Sequence, residues 1–224
     1  MALLLPSLLP AGRWLAGAVL GLALLAGPAA RAQTVYALGT LTADFLGTPA
    51  GAQGLATIDP ATGVAGATTP VTGVPANQKL VGMDFRPANG LLYALGYDTL
   101  ALAPVANTQL YTLNPATGAT APVGNPVRLE LGRRTARIGF DFNPVADLIR
   151  VVSTTRANYR LSPATGALAG TDGLLTYASG TPAAPGIGAV AYTNSFPGAV
   201  STTLYAFDEL NTASPASPDR KSTR

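Results

Sequence analysis

Two residue types are missing from this chain, which has no cysteine and no histidine. Without them, zinc and copper sites built on thiolate or imidazole ligands are excluded. Nucleophilic catalysis by Ser-His-Asp or Cys-His groups and pH switching by histidine are excluded as well. No catalytic motif stands out among the remaining residues, so we predict no metal site, no cofactor and no catalytic residue as the leading interpretation.

Charged residues are scarce, at 11%, whereas apolar residues make up 48% of the 224 positions. This balance argues against disorder and supplies one sizeable core. The formal charge of +3 comes from the two ends of the chain. Without Arg13 and Arg31, 12 of the 14 basic residues remain against 11 acidic ones. When residues 219–224 are left out as well, 9 basic residues remain against 10 acidic ones. A near-neutral folded part gives no electrostatic reason to expect nucleic acid as a partner.

Long hydrophobic runs are absent after the first 32 residues, so we expect no membrane span in the mature protein. The apolar run at 14–26 follows Arg13 and precedes Ala30-Arg31-Ala32, an order typical of a secretory signal peptide with its cleavage site. Residues 1–32 are predicted to be that signal peptide, with a retained N-terminal anchor as the alternative. Export without disulfides is typical of a bacterial periplasmic or extracellular protein, which is the predicted location.

What the chain does contain is glycine and proline, 25 and 19 residues, placed at regular points. Asp-Phe-X-Pro occurs at 84–87 and 141–144, a separation of 57 residues. Pro-Ala-Thr-Gly occurs three times, preceded each time by a residue that can accept a backbone N–H: Asp59, Asn114 and Ser162. Proline presets φ and glycine supplies positive φ, so each phrase predicts a turn between antiparallel strands.

The repeated turns predict an all-β fold, a β-propeller-like array of four-stranded antiparallel meander blades that is incomplete at the C-terminus. The first two strands of each predicted blade are apolar almost throughout, as in Leu91-Leu92-Tyr93-Ala94-Leu95. Such continuous apolar strands are buried on both faces. No helix is predicted after Gln33. The predicted repeat domain covers 33–208 and is followed by a disordered or aberrant tail at 209–224. Its blades are predicted at about 35–71, 80–124, 137–170 and, in part, 187–208.

The ordered series of phrases resembles the bacterial exported family labelled domain of unknown function 4394. The phrases that carry the resemblance are LVGMDFRPANGLLYALG, QLYTLNPATGAT, IGFDFNPVADLIRVVS, YRLSPATGAL, TDGLLTYA and AVAYTNSF with TTLYAFD. Together they cover roughly residues 35–208. The resemblance implies a β-propeller-like fold and export but no activity, because the family has none established. Two departures are the lack of further strands after Leu-Tyr-Ala-Phe-Asp and the arginine-rich stretch 128–137.

Five residues are candidates for binding a ligand: Asp84, Asp141, Asp147, Arg150 and Asp172. Asp84 and Asp141 end strands at equivalent places, so they are either carboxylates at one mouth of a channel or caps of the turns that follow. Arg150 lies in an apolar strand, where an unpaired cation is costly. We expect it either to pair with Asp141 or Asp147, or to present its guanidinium to a polar ligand.

The stretch 128–137 holds the only basic cluster, Arg128, Arg133, Arg134 and Arg137 with Glu130. It is interpreted as a solvated loop between blades, with a patch for an acidic polysaccharide or nucleic acid as the alternative. No aromatic residues interleave with the arginines, which disfavours stacking of single-stranded bases.

Repeated turn chemistry without a convergent acid and base predicts an exported, non-catalytic module that binds a small polar ligand, a glycan or a protein at one face. One alternative is a carboxylate-dependent hydrolase or lyase that uses Asp141 with Asp147 or Asp172 in one pocket. The other is a structural or adhesive protein of the cell envelope.

Overall fold

Short apolar segments between tight turns form thirteen β-strands in the computed structural model, which describes residues 34–44, 49–177 and 184–210. The predicted signal peptide and residues 211–224 of the predicted tail lie outside these described residues. The described part of the chain contains no helix, and hence none that is long and apolar enough to cross a membrane.

The strands form four sheets in chain order. The first sheet contains β1 (Val35–Thr40), β2 (Gln53–Ile58) and β3 (Ala65–Pro70). The second contains β4 (Lys79–Phe85), β5 (Leu92–Tyr97), β6 (Thr108–Leu113) and β7 (Thr120–Val127). The third contains β8 (Ile138–Asn143), β9 (Leu148–Ser153), β10 (Asn158–Leu161) and β11 (Leu168–Thr171). The fourth contains β12 (Ile187–Tyr192) and β13 (Leu204–Asp208).

Every sheet is an antiparallel meander, because each strand pairs with its neighbour along the chain. The first strands of three sheets, β4, β8 and β12, lie side by side, so the sheets stack in sequence order. The prediction of an all-β, propeller-like array of antiparallel sheets is therefore confirmed.

Two of the three Pro-Ala-Thr-Gly turns have the side-chain hydrogen bond that the sequence predicts, whereas the turn at Ser162 is closed by the backbone bond from the Gly166 N–H to the Ser162 carbonyl at 2.8 Å. Asp59 Oδ1 accepts the backbone N–H of Ala61 at 2.8 Å, and Asn114 Oδ1 accepts that of Ala116 at 2.9 Å. Gly118 closes its turn at a φ of 70°, and an added Cβ there would lie 2.0 Å from the Pro70 carbonyl oxygen of the first sheet. This glycine therefore serves both the turn and the packing of one sheet on the next.

The core lies between the sheets, and the second sheet is buried on both faces. All six residues of β5 are buried. Tyr93, Leu95 and Tyr97 belong to the cluster shared with the third sheet, whereas Leu92 and Ala94 belong to the cluster shared with the first. Side chains alternate between faces along a strand, so one apolar strand contributes to two interfaces. Each fully buried large side chain contributes about 1.5–3 kcal/mol to folding.

Close approach of the neighbouring first strands depends on a small residue. A Cβ on Gly82 in β4 would lie 2.5 Å from the Cβ of Phe140 in β8. Phe140 in turn contacts Phe142 edge to face, with ring centroids 6.2 Å apart. The absence of a side chain at Gly82 thus brings the ends of β4 and β8, where Asp84 and Asp141 lie, close together.

A candidate ligand-binding groove and the carboxylates around it

Asp84 and Asp141 each connect one sheet to the next. Asp84 Oδ2 accepts the backbone N–H of Phe142 in β8 at 2.8 Å, and Asp141 Oδ2 accepts that of Tyr192 in β12 at 2.6 Å. Asp84 Oδ1 also accepts the N–H of Phe85, its own neighbour, at 2.7 Å. The structure therefore places both residues together, as predicted, but their main partners are in the adjoining sheet and not in the turn that follows.

Burial and the neighbouring Asp84 favour the protonated form of Asp141. Burial, and after it the charge of Asp84, raises the pKa of Asp141 to about 8. Burial also raises the pKa of Asp84, although the N–H groups of Phe142 and Phe85 oppose that rise. Among the described residues, no group of three or more His, Cys, Asp or Glu side chains could hold a metal ion.

Asp147 lies apart from this pair and binds Arg86. Its φ is 51°, and Arg86 Nε donates to Asp147 Oδ1 at 2.8 Å, while Arg86 Nη2 donates to Oδ2. Arg86 is the variable residue of the first Asp-Phe-X-Pro phrase, and Asp147 belongs to the turn after the second. The ion pair therefore links equivalent turns of the second and third sheets.

Arg150 pairs with Asp172, so the prediction that its partner is Asp141 or Asp147 is wrong. Arg150 Nη1 donates to Asp172 Oδ2 and, at 2.6 Å, to Asn158 Oδ1. Arg160 Nη2 donates to the other oxygen of Asp172 at 2.8 Å. Arg150 and Arg160 are cross-strand partners on β9 and β10, so their side chains share one face and meet the carboxylate that follows β11. Asp141 is also opposite Arg150 in the register but forms no ion pair with it.

The two guanidinium groups keep Asp172 ionised. Burial alone would raise the pKa of Asp172, but the hydrogen bonds from Arg150 and Arg160 outweigh it and lower the pKa below its usual value. Both carboxylate oxygens are engaged by arginine. Asp172 is therefore a fixed negative group and not a proton donor at neutral pH.

A groove of about 360 Å³ opens beside this ion-pair cluster. Its lining combines carboxylates, an amide, hydroxyls and apolar surface: Glu130, Gly132, Thr155, Ala157, Asn158, Tyr159, Thr171, Asp172 and Leu174. Asp172 is the only one of the five predicted site residues that lines it. Glu130 forms an ion pair with Arg128 at 2.8 Å, and that hydrogen bond lowers the pKa of Glu130.

The wall of the groove at 129–132 is fixed by buried leucines. Leu129 and Leu131 are fully buried in the core cluster between the second and third sheets. Asn107 secures Leu129 with hydrogen bonds to both its N–H and its carbonyl, and Tyr97 donates to the Gly132 carbonyl at 2.7 Å. The stretch is a loop with exposed arginines, as predicted, but it also contains two buried leucines, Leu129 and Leu131. The signal in the sequence was the alternation of charged and leucine residues from 128 to 131.

Comparison with known proteins identifies a family. Residues 54–214 match the family described as Domain of unknown function (DUF4394). No curated protein and no solved structure was found to match the chain.

Proposed function

The chain belongs to the DUF4394 family, and from that premise we propose that it is an exported, non-catalytic binding module whose ligand is a polyhydroxylated molecule of the glycan type. The ligand would occupy the groove beside Asp172. The observation that carries this proposal is the lining of the groove, in which fixed carboxylates and an amide adjoin an aromatic and an aliphatic side chain.

The groove offers the two kinds of contact that a sugar ring uses. Tyr159 and Leu174 provide apolar surface, and the carboxylate of Asp172 and the hydroxyl of Thr171 provide hydrogen-bonding groups. A volume of about 360 Å³ lies at the lower end of the range for ligand pockets, roughly 300–1,000 Å³. A ligand of one or a few sugar units fits this description better than a large hydrophobic one does.

The protonation of the groove favours binding over hydrolysis. Two carboxylates line it, as glycoside hydrolysis would need, but that reaction requires one of them to carry a proton. Hydrogen bonds from Arg128 lower the pKa of Glu130, and those from Arg150 and Arg160 lower that of Asp172. Both carboxyl groups are therefore favoured in the ionised form, which supports binding over general-acid catalysis in this groove. Of the residues in the pairs suggested by the sequence, Asp141 with Asp147 or Asp172, only Asp172 lines this groove.

Export into a bacterial periplasm or the extracellular space is part of the same proposal. It is supported by the apolar run at 14–26 with its following Ala-X-Ala, and by the absence of cysteine. A glycan-binding module would meet cell-wall and capsular polymers in that location.

A glycan screen with a blocked variant tests the proposal. Thr171 is exposed and lines the groove, so Thr171→Trp should fill part of it and weaken binding of any glycan found by at least about tenfold. Leu168→Trp is the matched control, since Leu168 is exposed on the same strand but does not line the groove. Equal binding by both variants and the original protein would place the ligand elsewhere and reject the proposal.

A further inference from the structure

The eight arginines in the described part of the chain divide into two equal groups. The members of one group each form an ion pair with a carboxylate: Arg86, Arg128, Arg150 and Arg160. The members of the other form no ion pair within that part of the chain: Arg133, Arg134, Arg137 and Arg156. Arg128, which the sequence grouped with the basic cluster, leaves it by binding Glu130 and the carbonyls of Ala101 and Val105.

The four unpaired arginines come from two segments that lie against each other. The backbone N–H of Thr154 donates to the Arg137 carbonyl at 3.0 Å, and the Arg137 N–H donates to Thr154 Oγ1 at 3.2 Å. A Cβ on Gly132 would lie 2.7 Å from Thr155 Cγ2. Arg133 and Arg134 directly follow Gly132, and Arg156 directly follows Thr155, so the folded chain gathers charges that lie 23 positions apart in sequence.

Arg156 occupies an unfavourable backbone conformation. Its φ of 71° is in the left-handed region, where glycine or asparagine is tolerated and a long side chain is strained. It lies in the short turn between β9 and β10, where its N–H donates to the Ser153 carbonyl at 2.9 Å. The turn would be relieved by glycine, so the presence of arginine points to a use for its side chain.

No carboxylate of the described residues forms an ion pair with these four arginines. Glu209 and Arg137 both contact the position where a Cβ of Gly188 would lie, but they form no ion pair within 4.0 Å in the described part of the chain. Four arginines without an ion pair, on a folded part that has 9 basic and 10 acidic residues in all, produce a local positive potential. Gly132 and Thr155, which directly precede Arg133 and Arg156 in the chain, also line the groove.

We propose that these four arginines bind the acidic groups of the ligand, so that the groove and its arginine flank together recognise an acidic polysaccharide. This inference rests on the proposed function and names its ligand class. The groove takes the hydroxyls and the apolar face of one sugar, while the guanidinium groups of Arg133, Arg134, Arg137 and Arg156 take carboxylate or sulfate groups on neighbouring sugars.

An acidic polysaccharide fits the site better than nucleic acid does. Nucleic acid carries a phosphate at every nucleotide and needs a continuous track of cations. Here the positive flank adjoins Glu130 and Asp172, whose negative charges would repel a phosphate in the groove. A glycan that has hydroxyls at one sugar and an acid at the next matches both parts.

The test measures binding of the full chain to three labelled oligomers: a hyaluronan oligosaccharide, in which acidic and uncharged sugars alternate, an uncharged maltooligosaccharide and an oligothymidylate. The double variant Arg133→Gln/Arg134→Gln should weaken hyaluronan binding by at least about tenfold, and added salt should weaken binding by the original protein as well. Arg156→Gly should weaken binding about threefold while leaving the melting temperature equal or higher, because glycine relaxes the turn. Lys79→Gln removes one charge from β4 and is the matched control, expected to bind as the original does.

Each outcome decides between the two proposals. Unchanged hyaluronan binding in the arginine variants would overturn this inference, and the proposed function would survive if Thr171→Trp still blocked binding of a glycan. Weaker binding by the arginine variants together with full binding by Thr171→Trp would instead reject the groove and retain the arginine site. Tighter binding of oligothymidylate than of the hyaluronan oligosaccharide by the original protein would overturn the inference in favour of nucleic acid.

Discussion

The two edges of the third sheet carry aspartates in opposite states. At the β8 edge, Asp141 faces a second carboxylate and has no arginine partner, and its pKa is raised to about 8. Beyond β11, at the other edge, Asp172 receives two arginines and its pKa is lowered. The residue type is the same and both side chains are partly buried. The neighbouring side chains, and not burial alone, decide whether the carboxyl group keeps its proton.

The largest expected effect comes from removing the carboxylate with two partners. Asp172→Ala leaves Arg150, whose side chain is only 14% exposed, without its anion. We expect the free energy of unfolding at pH 7 to fall by about 2–3 kcal/mol, below the range for fully buried pairs. The measurement is urea unfolding, with Asp59→Ala in an exposed turn as the control.

The pH dependence of this loss provides a second check. A lowered pKa means that Asp172 stabilises the fold above the unfolded pKa, and that this contribution is lost as the pH falls through the folded pKa. The difference between Asp172→Ala and the original protein should therefore shrink below about pH 4. An Asp172→Ala variant as stable as Asp59→Ala at pH 7 would show that the ion-pair cluster contributes no more than the hydrogen bond of one exposed turn.

A smaller effect is expected from separating the strands that bring Asp84 and Asp141 together. Gly82→Ala places a methyl group 2.5 Å from the Cβ of Phe140, and neither atom can move without its backbone. We expect a loss of about 1–3 kcal/mol in the free energy of unfolding. Gly39→Ala is the matched control, because an added Cβ there meets nothing within 4 Å. Equal stability of the two variants would mean that β4 and β8 are not in close contact.

The smallest expected effect is a gain. Asp141→Asn removes the ionisable group but retains an oxygen for the N–H of Tyr192. The folded pKa of Asp141 is raised, so its contribution to stability is complete below the unfolded pKa near 3.8 and is lost as the pH rises through about 8. At pH 8 the variant should be more stable than the original protein by roughly 1–2 kcal/mol, a rise in melting temperature of about 2–8 °C.

At pH 4 this advantage should disappear, because the original Asp141 is then protonated and carries no charge either. A variant that is equally stabilised at both pH values would owe its gain to something other than the carboxyl pair. The two conditions therefore separate the electrostatic explanation from a packing explanation.

The sequence predicted the strands and their turns because both depend on local chemistry. Asp59 and Asn114 make the short-range hydrogen bonds that their positions before Pro-Ala-Thr-Gly require. The apolar segment of β5 also predicted burial on both faces. Side chains at consecutive positions point to opposite faces, so a continuously apolar strand is buried on both.

The partners of the charged residues were not predictable from local sequence. Arg86 meets Asp147 across 61 positions, and Asp84 meets the N–H of Phe142 across 58, because two sheets stack with particular ends aligned. Asp141, Asp147 and Asp172 all lie near Arg150 in sequence. Asp172 becomes its partner because β10 and β11 continue the sheet from β9 and bring Asp172 to the same face. The groove and the cluster of unpaired arginines depend on the same long-range packing.

Titration of the aspartate side-chain carboxyls by NMR tests the contrast between the two edges of the third sheet most directly. The account predicts that Asp141 titrates with a midpoint near 8 and Asp172 with one below 3.8. A midpoint for Asp141 at or below that of Asp172 would contradict it.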